Sequence, residues 1–180
     1  MRTELNWIEG PWRCRLAIMP RPRGRDWLED EISSWQSMGI EVIVSALTSE
    51  EIAELDLMRE RELCEKVKIV FIAFPIADRG LPPSMKAALD LAYRLEQRLA
   101  LGENIAIHCR QGIGPASPLA ACVLVVSGVD PASAWERIVA ARGCSVPDTN
   151  EQKEWVTPFA RYKLVPLGEP AGSDRERGER

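Results

Sequence analysis

Residues 104–128 constrain the fold more tightly than any other part of the chain. There the apolar run "NIAIHC" passes through "RQGIG" into the segment "PASPLAACVLVVSG". A short β-rich run, a glycine loop and a long apolar stretch in that order form a strand–turn–helix unit, which needs a sheet with helices packed on its faces. The rest of the chain repeats the pattern. "RLAIMP" is a strand, and "DWLEDEISSWQSMG" has Trp27, Leu28, Ile32, Trp35 and Met38 at helical spacing, with Gly39 as its stop. "IEVIVSAL" is a second strand. "TSEEIAELDLMRERELCEKV" reads as one helix capped by Thr48 or Ser49, with acidic residues at the positive end of its dipole. "KIVFIAFPI" is a third strand, apolar enough to be covered on both faces. The loop "ADRGLPPS" and the helix "MKAALDLAYRLEQRLALG" lead to "NIAIHC", the expected central strand. Two further helices are expected, in "PASAWERIVAARG" and from "PDTNEQKEW". The fold class is α/β: a central, mostly parallel sheet of four or five strands flanked by helices.

The 180 residues, 46% hydrophobic and 28% charged, suit one domain over 1–165. A tail over 166–180, rich in Pro, Gly and balanced charge, is expected to be disordered. A net charge of -4 argues against general binding to nucleic acid or to an anionic membrane surface. No apolar run reaches the ~18 to 20 residues of a membrane span, and the first residues lack the apolar core of a signal peptide. Five cysteines without CxxC spacing fit a reduced, cytoplasmic setting. His108 is the single histidine, which excludes a multi-histidine metal site. No metal and no cofactor is expected.

Ligands of open α/β sheets bind outside the carboxyl ends of the strands, and Cys109 stands at such an end. The loop Arg110, Gln111, Gly112, Ile113, Gly114, Pro115 follows, and then a helix. Its glycines permit backbone conformations with inward amides, and the helix start adds unpaired N–H groups. The expectation is an anion cradle around a cysteine with a depressed pKa, ready as a nucleophile.

"HCRQGIG" resembles the signature of cysteine-dependent phosphatases of the dual-specificity and tyrosine type: His-Cys, five residues with glycine at the third, Arg, then Ser or Thr. The resemblance runs from about residue 12 to 160. It places Asp78, in "FPIADRGLPPS", at the family's general acid, and it matches Gln152, in "PDTNEQKEW", to a glutamine that orients the hydrolytic water. What it implies is attack by the Cys109 thiolate on phosphorus, with His108 part of the signature and Asp78 as acid and then base. The substrate would be a phosphorylated protein or a small phosphate monoester. Read without the resemblance, "ADRG" is also good turn chemistry for Asp78, but its place before "RGLPP" favours the acid.

The pattern breaks at Pro115 and Ala116, where the family has Arg and Ser or Thr. Proline supplies neither the bidentate fork that holds phosphoryl oxygens nor an N–H. It does suit the first position of a helix, so the fold should survive. Losing one oxyanion donor costs ~100 to 1,000-fold in rate. Strongly reduced hydrolysis and a catalytically inactive binding module, a pseudophosphatase, both follow from this sequence. A third reading, a sulfurtransferase, rests on "CRQG" and gives Asp78 no task. Arg21, Arg23 and Arg25, at the same sheet edge, are either substitute cations or a solvated basic loop.

Overall fold

The computed structural model describes residues 3–164. The chain folds in the order β1 (Asn6–Ile8), β2 (Leu16–Pro20), α1 (Leu28–Ser37), β3 (Val42–Ser45), α2 (Ser49–Glu54), α3 (Glu60–Lys66), β4 (Val70–Ala73), α4 (Met85–Ala100), β5 (Ile105–Cys109), α5 (Ala116–Val126), α6 (Pro131–Arg142) and α7 (Asn150–Tyr162). The sheet runs β1-β2-β5-β3-β4. β1 is antiparallel to β2, and every other pairing is parallel. β5 is therefore the middle strand, and the cysteine loop leaves from the middle of the carboxyl edge, as the sequence implied.

Successive strand residues face opposite sides of a sheet, and β5 separates two cores in this way. Ile105, Ile107 and Cys109 belong to the core that packs under α4, α5 and α7. Ala106 belongs to the opposite core, with Trp35 of α1 and Leu63 of α3. α5 is buried from Ala116 to Val125, which explains a helix apolar on every side. None of the helices among the described residues is long and apolar enough to cross a membrane.

The structure amends the sequence reading in three places. β1 lies within the first residues, where no strand is expected; it is three residues long and uses only Asn6 and Ile8 as buried positions. The helix expected over residues 48–67 is two. Thr48 caps the first through a capping box with Glu51, but the chain turns through Asp56 at φ 54°, and the Leu57 amide donates to the Ile52 carbonyl. Leu57 is thereby buried. Pro115 is the residue before the first helical position, not that position itself. Pro118 is third in α5, where its missing N–H has no intrahelical partner to lose. The tail from 166 lies outside the described residues.

Candidate active site

Cys109 ends β5 with 3% of its surface exposed. The backbone amides of Ala116, Gln111, Ile113 and Gly112 surround its Sγ closely enough to favour the thiolate. Gly112 makes this course of the loop possible. It has φ 68°, and a Cβ there would stand 2.5 Å from the Met19 carbonyl carbon and 2.8 Å from the Pro20 nitrogen. At Gly114 a Cβ would run into the Asp148 carboxylate, with the Gln152 Nε2 3.5 Å away. The Ser117 hydroxyl donates to the Ile113 carbonyl at 2.6 Å, and the Ser117 amide to the Gly114 carbonyl at 3.0 Å. Arg142, from the end of α6, donates to the Gln111 carbonyl at 3.3 Å.

The expected depression of the Cys109 pKa is not found. Burial pushes the thiol above its ordinary value, and the four amides pull against burial without reversing it. The physical reason is that amide dipoles only partly replace water around a sulfur anion.

His108 precedes Cys109 in the chain, but its side chain is on the other face of β5. There its Nε2 lies 2.9 Å from Glu60 Oε1, both residues are buried, and the Trp35 ring is 6.4 Å away. His108 therefore sits behind Cys109 and not beside its thiol, because strand alternation turns its ring to the other face.

Asp78 and Arg79 form the corner of a turn closed by the Gly80 amide on the Ala77 carbonyl at 2.7 Å, and both are exposed. Two backbone bonds fasten the segment before the turn to the sheet edge: Phe74 to the Ser45 carbonyl at 2.8 Å, and Ile76 to the Ala46 carbonyl at 3.0 Å. Gln152 is fully buried and joins the two loops. Its Nε2 donates to the Gly80 carbonyl at 2.8 Å while lying beside Gly114, and its Oε1 has no protein partner among the described residues. Cys109, the cradle and Gln152 are thus brought together, with the Asp78 turn two residues from the Gln152 bond.

The arginines at this edge differ in what they hold. Arg110 leans away from the cradle onto Glu54 at 2.6 Å and Glu51 at 3.5 Å. Arg23 pairs with Glu31 at 2.5 Å and Arg25 with Asp56 at 2.8 Å. Sequence reasoning missed Ser117, Arg142, Asp148 and Glu60. Only Ser117 carried a local signal, as a hydroxyl in the first turn after the loop.

A family profile described as "PTP-SAK: Swiss Army Knife protein, DSP-PTPase phosphatase domain" matches residues 2–157. A kinase associated phosphatase with its catalytic-site cysteine substituted by serine superposes with a TM-score of 0.84 at 20% identity, over 93% of this chain and 99% of that one. The active form of Tk-PTP gives 0.71 at 23% identity, over 87% and 96%. PTPMT1 in complex with PI(5)P gives 0.67 at 16%, over 82% and 91%. Comparison with curated proteins yields no match. With the family profile spanning the sheet, both loops and most of α7, the chain belongs to the DSP-PTPase phosphatase domain family of the Swiss Army Knife proteins.

Proposed function

We propose that this protein hydrolyses phosphate monoesters through a Cys109 thiophosphate, at a rate strongly reduced by the replacement of the signature arginine with Pro115. The observation that carries the reading is the cradle of four amides around Cys109 Sγ, with Gln152 beside it. An array of fixed N–H donors is what a phosphoryl group with developing negative charge requires. Once its proton has left, Cys109 attacks phosphorus, the S–P bond forms and the ester P–O bond breaks. Asp78 gives its proton to the leaving oxygen. A water then attacks phosphorus, the S–P bond breaks, the thiolate returns, and the water's proton passes to Asp78. The unpartnered Oε1 of Gln152 suits an acceptor that orients this water. The substrate is a phosphorylated protein or a small phosphate monoester. Free cysteines, the nucleophile among them, suit a reducing cytoplasmic setting.

Acid quenching during turnover of an aryl phosphate, followed by mass spectrometry, tests this reading. A phosphoryl adduct on the Cys109 peptide, absent in Cys109→Ser, is expected. Turnover that survives Cys109→Ser without an adduct would overturn it. One feature favours the alternative of a phosphate-binding module without turnover: burial raises the thiol's pKa and favours the neutral sulfur, which does not repel a phosphate dianion. Saturable phosphate binding with no adduct and no product would establish that alternative.

A further inference from the structure

The family's arginine is absent, but the carboxyl edge of the sheet carries five others, and the structure sorts them by what they already hold. Arg23 and Arg25 each hold a carboxylate, and Arg110 holds two. A guanidinium engaged in this way has its charge and its planar fork in use. Arg21 is different. Among the described residues it meets no carboxylate, and its one side-chain bond runs from Nη1 to the carbonyl of its neighbour Pro22 at 2.9 Å. Arg79 also lacks a carboxylate partner, but it sits on the exposed acid turn.

The backbone puts Arg21 against the cysteine loop. Pro20 is the register partner of Cys109 in the parallel pairing of β2 with β5. The Arg21 amide donates to the Arg110 carbonyl at 3.4 Å, and Gly112 packs on Met19 and Pro20 with no room for a side chain between them. Adjacent strands are about 4.8 Å apart, less than the length of an extended arginine side chain. The half-buried Arg21 side chain lines a hollow with Glu54 and Asp56; to reach an anion in the cradle it leaves the Pro22 carbonyl and crosses that one strand spacing.

We infer that Arg21 is the phosphate-binding arginine of this site, supplying from β2 the cation that the signature no longer supplies from the start of α5. The inference rests on the phosphate-monoester reading above and adds the residue that recognises the dianion. Of the three arginines that follow β2, Arg23 and Arg25 are tethered to carboxylates and Arg21 is not.

The test is calorimetric titration of the native chain with inorganic tungstate, a non-covalent phosphate mimic, alongside Arg21→Ala, Arg21→Lys, Arg23→Ala and Arg79→Ala. Arg21→Ala should weaken binding at least tenfold. Arg21→Lys should recover part of the loss, because it restores the charge without the fork. Arg23→Ala and Arg79→Ala should stay within about threefold of native. In a Pro115→Arg background the Arg21→Ala loss should shrink to threefold or less, which a merely structural role would not produce. Native binding unchanged by Arg21→Ala, or lost only with Arg79→Ala, would overturn the inference and leave the phosphate reading standing. A native chain that binds no tungstate at millimolar concentration would overturn both.

Discussion

The cysteine loop and the acid loop meet at one edge of the sheet, but they are held very differently. Around Cys109 four amides converge on sulfur, Ser117 and Arg142 fasten the loop's carbonyls, and two glycines sit where no side chain fits without displacing something. Around Asp78 there is a surface turn with one hydrogen bond of its own and one from Gln152. The cradle is built before any substrate arrives. Asp78, the proposed acid, sits on an exposed turn, which is common for loops carrying function on a rigid scaffold. It follows that damage to the cysteine loop shows in stability as well as chemistry, and damage to the acid loop in chemistry alone.

The contrast is sharpest for Asp78→Asn. It should lower kcat for a phosphate ester with a poor leaving group by ~100 to 10,000-fold, the usual weight of a general acid. The thermal midpoint should stay near native, because the carboxylate is exposed and unbonded. A large fall in midpoint would break the comparison. A second test concerns the thiol itself. Burial raises the folded pKa of Cys109, so the protonated form is favoured and the thiolate fraction grows as pH rises toward that value. Alkylation of Cys109 should therefore speed up by about tenfold per pH unit between pH 7 and 9. A rate flat across that range would mean a thiolate already formed. The smallest effect separates the two glycines. Gly112→Ala forces a side chain into fixed backbone at φ 68° and should cost ~1–3 kcal/mol in denaturant unfolding. Gly114→Ala meets the movable end of Asp148 and should cost less. Equal losses would contradict the description of the loop.

Much of this was legible in the residues. The parallel strands announced themselves as dense apolar runs, and the cysteine loop by its position between a strand and a buried helix. Gly39 at φ 79° ends its helix as composition implied. β1 was not legible, because three residues carry too little period to stand out, and its pairing with β2 comes from tertiary contact. The break at Asp56 carried no proline or glycine to announce it. The burial of Leu57 between two short helices accompanies it and needs three dimensions to see. The same holds for the site. Residues 108 to 117 carry Cys109 and the loop around it, but Glu60, Arg142 and Asp148 arrive from distant segments with no local motif. The raised thiol depends on how completely α5 and its neighbours exclude water, a quantity that spacing does not encode.

The central claim is that the scaffold is intact and lacks the signature's own arginine clamp, for which Arg21 substitutes only in part. It is tested most directly by comparing kcat/KM for a small aryl phosphate between the native chain and the double variant Pro115→Arg, Ala116→Ser, each with and without Cys109→Ser. A gain of at least ~100-fold in the double variant, abolished by Cys109→Ser, is the predicted result. A double variant that folds normally and is no faster than the native chain would contradict the account.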